Sequence, residues 1–258
     1  MSWITPVETP TTQDFHDLFD NKISSIIIEN FLTPTECEKI CQEILAIGLS
    51  PFDYDFHDEA TDAYRVFDSH YLYEQKTPEE YFPKAAESNL KYQVFCEKLG
   101  FNPAIRVKDY LEKHLLRPVS IAEQNGQQYT YALVRELKNS ALLHADFAGF
   151  LDSHWSISNI TAQYAWNIYL SDPQNGGDSI VYNKPWLRED DQYIQGDTYG
   201  YSHKVVEKKE YYSIIPKPGL LAFFNSRNFH EVHGSSDIRL SIGGHVGIND
   251  KHEIVMWI

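Results

Sequence analysis

The chain has 258 residues, enough for one large core, and a β-barrel or sandwich of that length can form a single domain over 1–258. Its 22 basic against 37 acidic residues leave a net charge of −15, which repels phosphate backbones and anionic membrane surfaces and argues against nucleic acid as a partner. Three cysteines make no disulfide framework, no run approaches the ~18 to 20 apolar residues of a membrane span, and residues 1–20 lack the order of a signal peptide, so a cytoplasmic protein is expected.

The first regular element is a short β-branched strand, Ser24 to Glu29. Thr33-Pro34-Thr35-Glu36 then has the form of a capping box, and Cys37, Ile40, Cys41, Ile44, Leu45 and Ile47 follow at helical spacing up to a Gly48 stop. Residues 50–75 are aromatic and acidic without sustained periodicity, the composition of a pocket wall or of a loop folded over the core. A second capping box at Thr77 to Glu80 opens a helix toward Leu99, with Pro83 inside its first turns. Asn102-Pro103 starts another helix through about His114, so residues 1–115 read as mainly helical with lid loops.

From Pro118 the pattern becomes stranded. Val119 to Ala122 and Tyr129 to Leu137 flank Asn125-Gly126, a type I′ hairpin dipeptide. Further strands are expected at 141–147, 163–170, 179–182, 210–215, 219–224 and 238–248, divided by Pro, Asn and Gly turns. Many short strands without helices between them indicate a sandwich or jelly roll over 116–258.

The chemistry concentrates at His144-Ala145-Asp146. On a strand, residues two apart share a face, so an imidazole and a carboxylate would stand side by side. Alone, the tripeptide reads better as a hydrogen-bonded histidine and a solvated aspartate on a strand. A further histidine would complete a 2-His-1-carboxylate metal site. His230 and His233 compete for that place and would point to opposite faces of a strand; the spacing to Arg239 favours His230. Arg239 and Ser241 share a strand face, and an arginine facing into a barrel needs an anion, so they form a carboxylate seat. Tyr131 with Arg135, and Asn167 with Tyr169, are expected to be same-face polar pairs on neighbouring strands. The remaining histidines, His57, His70, His154, His203, His245 and His252, show no ligand-type spacing and read as surface or pocket residues.

His144-x-Asp146, His230 and Arg239-x-Ser241 together resemble the motif of the Fe(II)/2-oxoglutarate-dependent oxygenases. Three further stretches, 176–186 (Gly-Gly-Asp-Ser-Ile-Val-Tyr-Asn-Lys-Pro-Trp), 218–225 (Pro-Gly-Leu-Leu-Ala-Phe-Phe-Asn) and 239–244 (Arg-Leu-Ser-Ile-Gly-Gly), are similar to a bacterial subgroup. It contains the carrier-independent indole-alkaloid halogenases and the N-substituted amino-acid hydroxylases. The likeness covers about 23–50 and 119–258. It implies a mainly β fold, a double-stranded β-helix (jelly roll, cupin-like) with N-terminal helices.

It also implies Fe(II) held by His144, Asp146 and His230, with O2 and 2-oxoglutarate as cosubstrates. Arg239 and Ser241 would bind 2-oxoglutarate, and Tyr131, Arg135 and Asn167 would be further cofactor-binding candidates. Arg135 would engage either 2-oxoglutarate or a substrate carboxylate. The halogenases carry glycine in place of Asp146, which frees a position for chloride; the retained carboxylate implies hydroxylation, N-dealkylation or desaturation instead, with release of succinate and CO2. Acidic, aromatic loops at 51–75, 148–162 and 184–203 would suit a small amine-containing or amino-acid-derived substrate, as in natural-product biosynthesis. The alternatives are a cupin-type metal-binding protein without turnover and a metal-free β-sandwich interaction module.

Overall fold

The computed structural model describes residues 2–52, 63–73 and 76–258. His57, with the rest of 53–62 and 74–75 of the first aromatic, acidic loop, therefore lies outside the described residues.

The capping signals form as the sequence predicts. Thr33 Oγ1 accepts from the Glu36 N–H at 3.3 Å and the Glu36 carboxylate accepts from the Thr33 N–H at 2.9 Å, opening the helix Pro34–Ile47. Thr77 and Glu80 open Pro78–Leu99, and the Asn102 side chain caps Pro103–Leu115 by accepting from the Ile105 N–H at 3.0 Å. An additional helix, Thr12–Phe19, arises from a third box at Thr11 and Asp14. It places Phe15 against Phe223 and Tyr164.

Two large sheets and one short hairpin make up the rest. The larger runs Ser25–Ile28, Leu221–Phe224, Ile160–Tyr169, Arg239–Asn249, Leu133–Leu137, Ala63–Val66 and Ser50–Pro51; Ile254–Trp257 joins the Arg239–Asn249 strand, with Val119–Ile121 parallel beyond it. The smaller has the order Tyr211–Ile214, Ser179–Pro185, Asn228–Val232, Ala141–His144, all antiparallel. This is the expected mainly β, jelly-roll fold with helices at the N-terminal end.

The pleat of Arg239–Asn249 shows how the layers divide. Leu240, Ile242 and Val246 enter the core shared with Ile40, Phe95, Val107 and Leu111 of the helices. Arg239, Ser241 and His245 alternate with them and line a cavity on the other face, together with His144, His230 and Val232 of the smaller sheet. Helices thus seal one face of the larger sheet and the site occupies the other. No helix among the described residues is long and apolar enough to cross a membrane.

Two expectations about strands change. Asn125 and Gly126 do take positive φ, 52° and 76°, but the hairpin arms are only Glu123–Gln124 and Gln127–Gln128. The strand expected over 141–147 ends at His144, because the Asp146 N–H leaves the ladder for the Ser226 carbonyl at 2.8 Å and a 3-10 turn, Ala148–Phe150, follows.

Candidate active site

His144 and His230 stand directly opposite each other across two neighbouring strands. Each ring is fixed by a backbone carbonyl two residues back. His144 Nδ1 donates to Leu142 O at 2.7 Å and His230 Nδ1 to Asn228 O at 2.8 Å. With the proton committed to Nδ1, each Nε2 presents a lone pair. Both Nε2 atoms face Asp146 Oδ2, at 3.8 and 3.7 Å. The three donor atoms lie within 4.8 Å of one another, a span that one ion can bridge.

The electrostatics match metal ligands. Burial, with His230 as a second cause, pushes the His144 imidazole down to about 4. Burial pushes the Asp146 carboxyl up, but His144 and His230 outweigh it and hold the group well below the usual carboxylate range. A neutral His144 imidazole and an ionised Asp146 carboxylate are the forms in which these two groups ligate a metal. His233, the competing histidine, is exposed and outside the cluster.

Asp146 reaches this position by a route other than strand alternation. Its loop is strapped by Gln163, whose Oε1 accepts from the Ala148 N–H at 2.8 Å. The Gln163 amide nitrogen lies 3.2 Å from the Asp146 carbonyl and 3.0 Å from Ser226 Oγ.

Arg239 is 4% exposed and lies in the same cavity. Its Nε donates to Gly177 O at 2.7 Å, its Nη2 to Ser179 Oγ at 2.8 Å, and the guanidinium covers the Tyr169 ring at 5.2 Å. Burial lowers its pKa from the usual arginine value. No carboxylate pairs with it among the described residues, so the salt bridge that would make it merely structural is missing there. Ser241 is two residues along the same face, 2% exposed. Gly243 completes the floor: a Cβ there would come within 2.4 Å of Asn167 Oδ1 and 3.3 Å of Arg135 Nη2, so glycine leaves room for both.

Arg135 and Asn167 therefore join the site, and Tyr131 does not. Residues 129–132 precede the strand Leu133–Leu137, so counting back from Arg135 in steps of two fails, and Tyr131 packs at right angles to Tyr92 among the helices. Three contributors were not singled out by the sequence reading, which left His70 and His245 among surface or pocket histidines and did not consider Gln163. His245 sits four residues beyond Ser241, a same-face spacing that could have revealed it; His70 and Gln163 gave no such signal. The cavity wall is aromatic as expected (Phe52, Phe147, Phe150, Tyr199), but Asp146 is its only carboxylate among the described residues. The expected acidic wall is thus not found in them.

Fold and donor set define a non-haem Fe(II)/2-oxoglutarate-dependent oxygenase, with Fe(II), 2-oxoglutarate and O2 as its cofactor and cosubstrates. Residues 7–258 match the family described as "Carrier-protein-independent halogenase WelO5", and the chain belongs to that family. It is 38% identical over 163 residues to "Leucinostatins biosynthesis cluster protein S" of Purpureocillium lilacinum, covering 61% of this chain and 67% of the relative. It is 26% identical over 140 residues to the "L-gamma-glutamyl-L-propargylglycine hydroxylase" of Streptantibioticus cattleyicolor, covering 51% of this chain and 50% of that one. The crystal structure of an N-substituted L-amino acid dioxygenase from Burkholderia ambifaria superposes with a TM-score of 0.62 at 13% identity, over 96% of this chain and 91% of the other, a likeness of fold.

Proposed function

We propose that the chain is one oxygenase domain of hydroxylase type, acting on a small amino-acid-derived or natural-product substrate. In this reading His144, Asp146 and His230 hold Fe(II), while Arg239 and Ser241 seat the far carboxylate of 2-oxoglutarate. Fe(II), O2 and 2-oxoglutarate, once bound, supply the oxidising power, and the cosubstrate leaves as succinate and CO2. The protein's own part is positional. The Leu142 and Asn228 carbonyls keep the two Nε2 atoms unprotonated, the Gln163 strap holds the Asp146 loop, and Phe147, Phe150 and Tyr199 give the cavity an aromatic wall.

The observation that carries the reaction type is the Asp146 carboxylate, facing both imidazoles where the resembling halogenases have glycine. A carboxylate there fills the position a halide would need, which favours hydroxylation. A hydroxylated carbon next to nitrogen would collapse to N-dealkylation, and desaturation is the other variant of the same oxidation. Three unpaired cysteines fit a reducing cytoplasm.

Anaerobic titration with Fe(II) and 2-oxoglutarate tests the reading. The weak visible charge-transfer band of the chelate is expected in wild type and absent in Asp146→Ala and His230→Ala; a band that survives either change would sink the ligand assignment. Under air, succinate release separates this enzyme from a cupin-type protein that holds metal without turnover.

A further inference from the structure

Among the described residues, the charges facing the cavity do not balance. The cavity holds about 410 Å³, and two guanidinium groups line it, Arg135 and Arg239, against one carboxylate among the described residues, Asp146. On the reading given above, the ferrous ion and dianionic 2-oxoglutarate cancel, and Asp146 offsets Arg239. Arg135 is left over.

Its surroundings give it no relief. Arg135 lies in register with Ser241 on one neighbouring strand and with Arg65 on the other. Its Nε is buried without a hydrogen-bond partner, and no carboxylate pairs with it among the described residues. Arg65 has already taken Asp68 and the Phe67 carbonyl. Glu136 points to the opposite face of the strand and lies near Lys138. A half-buried guanidinium whose Nε is shut off from water, with two other guanidinium groups near it, favours an anion beside it. Its planar fork suits a carboxylate held bidentately.

We propose that Arg135 seats a carboxylate of the substrate itself, which makes the substrate a small carboxylic acid. N-acyl amino acids are the simplest probes of this class, since they carry the carboxylate while their other polar groups are uncharged, which suits a described lining whose one carboxylate is Asp146. Its apolar body lies against Phe52, Leu137, Phe147, Phe150 and Tyr199. The inference rests on the iron and 2-oxoglutarate seats proposed above and names the substrate class they serve.

The test is anaerobic calorimetry on the Fe(II)- and 2-oxoglutarate-loaded protein. N-acetyl-L-leucine and N-acetyl-L-phenylalanine are each titrated beside their C-terminal amides into wild type and Arg135→Gln. Wild type is expected to prefer an acid over its amide by about ten-fold or more, the worth of one charge-assisted pair, and the variant to lose that preference. The 2-oxoglutarate Kd, read from the visible band, is expected to change little in the variant.

Three results overturn the proposal: equal binding of acid and amide, binding of neither acid, or a loss of 2-oxoglutarate affinity in Arg135→Gln as large as in Arg239→Ala, which would assign the guanidinium to the cosubstrate. Thermal unfolding of ligand-free Arg135→Met gives an independent reading. An unchanged or raised Tm is expected once the unpaired charge is gone, whereas a clear fall would make Arg135 structural and end the argument. A wild type that shows no visible band at all would instead fail the iron and 2-oxoglutarate reading.

Discussion

Arg239 shows what a single residue can be asked to do. Held by Gly177 O, Ser179 Oγ and the Tyr169 ring, the guanidinium is oriented before any ligand arrives. A charge-assisted hydrogen bond contributes ~1.5–3 kcal/mol, so Arg239→Ala is expected to raise the KM for 2-oxoglutarate by about ten- to a hundred-fold while kcat at saturation changes less. An unchanged KM would remove 2-oxoglutarate from that seat.

His70 makes a different prediction at the same scale. Its ring stands edge-on to Trp155 at 4.3 Å, 2% exposed, with Nε2 lacking a hydrogen-bond partner. Burial first, then His154 and His245, push its pKa down from 6.5 to about 3. Between those two values the unfolded chain binds the proton and the folded one does not, so stability falls as pH drops through that window. The slope from this one group is at most ~1.4 kcal/mol per pH unit. Denaturant unfolding of metal-free protein at several pH values should therefore give a shallower acid-side loss in His70→Gln than in wild type; parallel curves would contradict the buried, neutral histidine.

At the scale of elements, the loop carrying Asp146 depends on a strand that is not its own. Gln163 sits on Ile160–Tyr169 and reaches across to the Asp146 carbonyl, the Ala148 N–H and Ser226. Removing such a supporting partner typically costs ~10–100-fold in metal affinity. Gln163→Ala is expected to weaken Co(II) binding by about that factor, followed by the visible absorption of the ion. Unaltered affinity would mean that the loop holds its shape without the strap.

The same elements show which features were legible beforehand. Helix starts at Thr33 and Thr77 could be read because a capping box is written in four consecutive residues. His144, His230, Arg239 and Ser241 could be read because two-residue alternation carries across a regular strand. Asp146 was brought to the right neighbours by an argument that does not hold locally, since its chain has already left the sheet. Tyr131 failed for the same reason in reverse, preceding the strand it was counted along. His70 could not be found this way, because the bond from its N–H to Ile258 O at 2.8 Å joins distant parts of the chain, and no local pattern records such a pairing.

For the molecule as a whole, the site exists only when both sheets are folded together. The smaller sheet contributes His144 and His230, a connecting loop contributes Asp146, and the larger sheet contributes Arg239, Ser241 and Asn167. The unfolded chain has no equivalent constellation, so metal and 2-oxoglutarate bind the folded state and stabilise it by mass action. Ligand at ~100 times its Kd contributes ~2.7 kcal/mol. In a chain of this length each kcal/mol moves Tm by ~2–4 °C, so Mn(II) with 2-oxoglutarate is expected to raise Tm by ~5–10 °C. The increments should separate by residue. On the proposed roles, His230→Ala is expected to lose the whole shift, since it would remove a ligand of the ion on which 2-oxoglutarate binding would depend, whereas Arg239→Ala should keep the Mn(II) part and lose most of what 2-oxoglutarate adds. A full shift in His230→Ala would put the binding site elsewhere in the molecule, and an undiminished 2-oxoglutarate increment in Arg239→Ala would uncouple the larger sheet from cosubstrate binding.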